Sequence, residues 1–293
     1  MAKHIYIHAG GHRTGSSSFQ LCLAENRAVL NARGYDLFYP GRDGAPGGQP
    51  QFHLPEGGDG PKRREIIVQR VSHRLNAISP DPERSLILSE ENLSGRIYPC
   101  LRGRFFPIAR RRASAMRAAL GQAPTHVVMV VRPYASFLQS CYRLRAQDNQ
   151  VRPFAALAPD MVAAPRGWLD AVRDLFAGLE PDLMTVVEIG ARKESRSLLQ
   201  RLVPDLADVE LCEPQRRVNL SATDAALTEI QRRFREGADL SDADVSAVVS
   251  DYAEDQTDCS FARFTESQAT ALAERYERDL ESIAAMKGVN LLR

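Results

Sequence analysis

Short runs of β-branched and aromatic residues alternate along this chain with stretches whose apolar residues recur every three or four positions. Lys3 to Ala9 is one such run. Two glycines follow it, and from Ser16 the residues Phe19, Cys22, Leu23 and Leu30 recur at helical spacing until Gly34, a residue suited to stopping a helix. The pattern predicts a strand, a Gly-rich turn and a helix. Ser85–Ser89, His126–Val131 and Met184–Ile189 are further apolar runs separated by helical patterns. Strands that are apolar at every position are covered on both faces, so the expected fold class is α/β, a parallel sheet flanked by helices on both faces.

Two segments depart from this alternation. Pro40 to Pro61 holds seven glycines and five prolines in 22 residues, is too long for an idle connection, and is expected to form a mobile rim or lid. From Ala222 onward the pattern is helical throughout, over 222–236, 242–254 and 266–286, with Leu272, Tyr276, Leu280 and Ile283 on one stripe. The expectation is a single domain, residues 1–293, with an α/β core over 1–221 and a helical C-terminal extension over 222–293. No internal repeat is visible.

Composition narrows the possible partners. With 293 residues, 44% of them hydrophobic, the chain can bury a full core. A net charge of +1 creates no overall field that would gather a nucleic acid, so anion binding has to be local. Five cysteines without metal-ligand or disulfide spacing read as reduced thiols. The first residues show no signal-type apolar run and no stretch reaches membrane-spanning length, so a cytoplasmic protein without a membrane span is expected. The triple arginine at 110–112 reads as a solvated helix face.

The segment His8-Ala-Gly-Gly-His-Arg-Thr-Gly-Ser-Ser-Ser18 puts glycines at a strand end and small hydroxyl residues on the first turn of a helix. The N–H groups of that turn lack intrahelical partners, the helix dipole adds positive character, and Arg13 adds a full charge, an environment suited to phosphate or sulfate. Gly11, His12, Arg13, Thr14, Gly15, Ser16 and Ser17 are therefore candidate anion-binding residues. The spacing from Gly10 to Gly15 fits a nucleoside-triphosphate loop, but Ser16 stands where that chemistry needs lysine. Arg132, in turn, follows the later strand where an acidic residue would hold magnesium. The glycines also fail the dinucleotide fingerprint.

A second candidate anion site begins at Arg132-Pro133. Proline suits the first helical turn, which leaves Arg132 at a strand's carboxyl end, where parallel sheets bind ligands. Ser140 lies eight residues on, about two turns into the helix, within reach of the same anion.

These residues resemble the bacterial sulfotransferases that use 3′-phosphoadenosine-5′-phosphosulfate. Arg13-Thr14-Gly15-Ser16-Ser17 is similar to the family's 5′-phosphosulfate loop, and Arg132 with Ser140 to its 3′-phosphate pair. Ser89-Glu90-Glu91-Asn92-Leu93 and Arg217-Val-Asn219-Leu-Ser221 also look like family segments, so the likeness runs from residue 4 to about 221. It implies a P-loop-type sheet, that donor with 3′,5′-diphosphoadenosine as product, no required metal, and a small-molecule, lipid or carbohydrate acceptor. Arg217 and Asn219 become candidate nucleotide contacts. One departure stands out: the family's loop lysine is Arg13 here, which keeps the charge but is planar and cannot give up a proton at neutral pH.

For catalysis, Arg13 is the candidate for stabilising charge on the leaving 5′-phosphate. A hydroxyl or amine acceptor needs a base at the strand ends, for which Glu91 is the first candidate, Glu90 the second, and His53 a third if the Pro40–Pro61 segment closes. Ser89 capping a helix start, with two glutamates complementing it, is the plainer alternative. Two other functions stay open: a protein that binds the nucleotide without transferring sulfate, and a small-molecule kinase. The acceptor's identity and the oligomeric state are not readable.

Overall fold

A computed structural model describes residues 2–41, 45–215 and 222–293. Six strands, β1 (Ile5–His8), β2 (Tyr35–Phe38), β3 (Ser85–Ser89), β4 (His126–Val131), β5 (Leu183–Glu188) and β6 (Val289–Leu292), form one sheet in the order β2-β3-β1-β4-β5-β6. Every neighbouring pair is parallel. The helices are α1 (Ser16–Glu25), α2 (Arg27–Ala32), α3 (Pro61–Ile78), α4 (Ala109–Leu120), α5 (Tyr134–Asp148), α6 (Phe154–Val162), α7 (Trp168–Leu179), α8 (Ser195–Leu202), α9 (Asp224–Arg235), α10 (Asp242–Asp251) and α11 (Glu266–Ala284).

The period-two geometry of a strand divides the core in two. Ile5, Ile7, Leu86, Leu88, Val127, Met129 and Val131 face the layer that includes α3, α4, α5, α7 and α11, whereas Tyr6, Ile87, Val128 and Val130 face α1, α2 and α8. Each fully buried Leu, Ile or Val contributes about 1.5–3 kcal/mol through removal of apolar surface from water, which explains why both faces are apolar and why these strands read as continuous runs. Chain order reverses around β1: β2 and β3 lie to one side, β4 to β6 to the other. The carboxyl ends of β1, β3 and β4 meet at that reversal, where open α/β sheets form a crevice.

Four features differ from expectation. The first predicted helix is two, because the chain breaks at Asn26, whose side chain donates to Cys22 O and to Cys212 O. Residues after 222 are not wholly helical: Gly288 turns the chain at φ +81° and β6 joins the sheet beside β5, while α11 buries Leu272, Tyr276, Leu280 and Ile283 in the larger core cluster. Among the described residues of the Gly/Pro-rich segment, Phe52 and Leu54 are core residues, and the Phe52 ring stacks on Phe38 at 4.1 Å. Phe52 and Leu54 anchor their part of the segment in the core, where the sequence predicts a mobile rim. Finally, Arg112 is not solvated. Only 3% exposed, it donates to Asn92 O, Leu54 O and Pro55 O.

Candidate functional site at the carboxyl edge of the sheet

The turn between β1 and α1 is shaped by local sterics. A side chain at Gly10 would collide with Ser16 Oγ and the His8 ring, and Gly15 adopts φ +90°, in the left-handed region that glycine reaches without strain. Gly15 is the N-cap of α1, so the amides of Ser16, Ser17 and Ser18 open the helix without intrahelical carbonyl partners. Thr14 Oγ1 and Ser16 Oγ both donate to Gly11 O, at 2.6 and 3.2 Å. These two hydroxyls brace the loop. Arg13 itself has φ +62°, a conformation that costs a side-chain-bearing residue about 1–2 kcal/mol.

The two anion motifs meet. Arg13 Nε donates to Ser140 Oγ at 2.8 Å, and Arg132 Nη1 donates to the carbonyl of Arg13 at 3.1 Å. Arg132 Nε donates to Ser136 Oγ at 2.9 Å. Beneath them the fully buried Trp168 donates its indole N–H to Arg132 O at 2.8 Å and lies against Gly11, so one ring supports both motifs. Among the described residues no carboxylate comes within ion-pair distance of Arg132, and its pKa is lowered by burial first and by the neighbouring Arg13 charge second. An anion bound here relieves both effects.

A polar network lies on the other side of the loop. His12 Nε2 sits 2.7 Å from Asn92 Oδ1, and its Nδ1 3.8 Å from Glu91 Oε1. Glu90 and Glu91 are both buried, Glu90 accepting from the Asn92 amide. His8 is packed on the Phe19 ring at 4.2 Å and bonded to Ser89 Oγ. Burial first and the Arg192 charge second push its pKa down to about 3. His53 is exposed between the buried Phe52 and Leu54. Arg217 and Asn219 lie outside the described residues.

One residue at the site falls outside every motif read from the sequence, and a second lies within one of them without an assigned role. Arg192, just beyond β5, donates through Nη2 to Gly15 O and to Ser195 Oγ, both at 3.0 Å, and so braces the glycine that opens α1. Its position after a strand's carboxyl end is the same signal that singled out Arg132. Asn92, in the Glu-Glu-Asn triplet, fixes His12. Alongside Arg132 and Ser140 opens a cavity of about 730 Å³, whose wall includes Ser136, Arg143, Asp224 and Arg263. Its size suits a nucleotide-sized ligand. Arg143 is ion-paired to Asp224 across it.

The class this geometry defines is an all-parallel α/β protein with a cationic crevice at its topological reversal. Neither a scan against protein-family models nor a search of curated proteins finds a match for the chain.

Proposed function

We propose that the chain is a sulfotransferase with a P-loop-type core, moving the sulfuryl group of 3′-phosphoadenosine-5′-phosphosulfate to a hydroxyl or amine. The observation that carries this reading is the junction of Arg13, Arg132 and Ser140, two motifs more than a hundred residues apart. A ligand with two separated anionic groups can span the α1 amides and the Arg132–Ser140 pair, and the adjoining cavity has room for the nucleoside. In the transfer, the acceptor oxygen or nitrogen bonds to sulfur, the bond from sulfur to the 5′-phosphate oxygen breaks, and the acceptor proton passes to the base. Glu91 is the group assigned to that role, with His12 Nδ1 as the nearby site that can share the proton. The α1 amides and the arginines stabilise the departing diphosphoadenosine.

One feature favours a second reading. Arg13 is anchored to Ser140, which ties the loop's cation to the 3′-phosphate side; a protein so arranged binds the nucleotide well and transfers slowly.

A thermal-shift series tests the donor assignment. A ligand at 100 times its dissociation constant stabilises a protein by about 2.7 kcal/mol. The expected result is stabilisation by 3′,5′-diphosphoadenosine and little by ADP. Stabilisation by ATP with magnesium but not by the 3′-phosphorylated nucleotide contradicts both readings. Sulfate transfer to any member of a mixed acceptor panel, lost in Arg132→Ala, separates enzyme from binding protein.

A further inference from the structure

Two neighbouring helices hold a concentration of positive charge in a chain whose net charge is +1. α3 and α4 together carry nine Arg or Lys residues and a single carboxylate, Glu65. Residues 222–293 carry the opposite excess, fifteen Asp or Glu against eight Arg or Lys. Charge is therefore distributed unevenly along the chain, and the near-zero total hides it.

The basic region is concave. A groove of about 670 Å³ runs between α3, α4 and α7, lined by Arg64, Glu65, Arg110, Arg111, Arg166 and Asp174 among others. Arg166 is paired with Asp174, and Arg111 donates to the Gly57 carbonyl. Arg64 and Arg110 have no carboxylate partner among the described residues. In a parallel sheet the helices run back against the strands, so the first turns of α3 and α4 stand at the carboxyl edge where the crevice lies. The link is direct at three consecutive residues. Arg110 and Arg111 line the groove, while Arg112 turns inward and donates to the carbonyl of Asn92 at 2.8 Å, the residue whose amide holds His12.

We infer that this groove is the acceptor track, and that the acceptor is an acidic oligosaccharide. Guanidinium groups match carboxylate or sulfate oxygens two at a time, and a saccharide supplies both those anions and the hydroxyl that sulfuryl transfer consumes. The hydroxyl part of the argument rests on the proposed function; anion recognition stands on the groove alone. A membrane surface fits poorly, because Ile66 is the one large apolar side chain of α3 and α4 that is strongly exposed. A duplex nucleic acid calls for a wider basic footprint than one groove opposed by an acidic remainder.

The test is a binding titration at low salt on the full chain. The probes are a polygalacturonate hexasaccharide, neutral maltohexaose, vesicles with about one third phosphatidylglycerol, and a short DNA duplex. Binding of the acidic hexasaccharide in preference to the other three is expected. The double variant Arg64→Glu/Arg110→Glu should weaken it at least tenfold, and the control Arg235→Glu on α9 should leave it unchanged. Equal binding of maltohexaose, stronger binding of vesicles or duplex, or equal losses in the two variants overturns the inference. Titration of the same variants with 3′,5′-diphosphoadenosine keeps the two ideas apart. Unaltered nucleotide binding in a chain that ignores the hexasaccharide sinks the groove alone, whereas hexasaccharide binding without any nucleotide binding sinks the donor assignment and leaves the groove.

Discussion

Arginines at the carboxyl edge and arginines of the C-terminal helices are treated in opposite ways. Arg232 donates to Glu229 and Glu236, and Arg233 to Glu229; these charges are neutralised on a solvated surface, where such pairs add little. Arg132 and Arg192, partly buried, are bonded to neutral oxygens only: Ser136 Oγ and Arg13 O for the first, Gly15 O, Ser195 Oγ and Lys193 O for the second. Burial pushes both pKa values down. The Glu213 charge offsets part of the burial of Arg192, whereas Arg132 has no carboxylate within ion-pair distance among the described residues; holding such a guanidinium out of water is costly, and a bound anion would offset that cost. Arg232 and Arg233 are neutralised within the fold, Arg192 braces a backbone turn, and Arg132 is left where an anion could pair with it.

The comparison is sharpened most by a base substitution, since it divides binding from chemistry. Glu91→Gln should lower kcat by about 10²- to 10⁴-fold while leaving affinity for 3′,5′-diphosphoadenosine near wild type; a parallel loss of affinity in calorimetry would reassign Glu91 to loop support. Arg132→Ala comes next. One charged hydrogen bond is worth about 1.5–3 kcal/mol, so the nucleotide should bind at least tenfold more weakly, with no fall in Tm, because the variant also removes repulsion from Arg13. A marked drop in Tm would place Arg132 with the structural arginines.

A smaller, pH-dependent effect comes from His8. Its folded pKa of about 3 lies below the ordinary value near 6.5, so between these values the unfolded chain binds the extra proton. Its contribution is complete above pH 6.5 and is lost as pH falls toward 3. Denaturant titrations should show acid sensitivity through that window, reduced in a His8→Phe variant; identical pH profiles would contradict the assignment. His126, also lowered by burial and bonded to Leu202 O and Thr185 Oγ1, acts in the same direction. Smallest of all, Arg232→Ala should change neither Tm nor nucleotide affinity measurably in the same assays.

Much of this arrangement was legible in the chain. β1, β3, β4 and β5 are covered on both faces and read as continuous apolar runs, and the Gly-rich turn and Arg132 could be found from them. β2 and β6 do not stand out in the sequence because these edge strands carry an internal polar position, Asp36 in one and Asn290 in the other. Three arginines in a row carry no mark of which one turns inward, and the partners of Arg112, backbone carbonyls and the Glu56 carboxylate, lie 20 to 58 residues away in sequence. The packing of Phe52 and Leu54 was hidden by the glycines and prolines around them. Arg13, which donates to Ser140, has a left-handed backbone conformation that spacing does not reveal.

Arg132 and Ser140 are proposed to hold a 3′-phosphate. Calorimetric titration with 3′,5′-diphosphoadenosine and with adenosine 5′-monophosphate, on the wild type and on Arg132→Ala, measures it directly, because the two ligands differ only in that group. The wild type should prefer the diphosphate by at least tenfold and the variant should lose most of that preference. An equal preference in both proteins, or none in the wild type, would contradict the account.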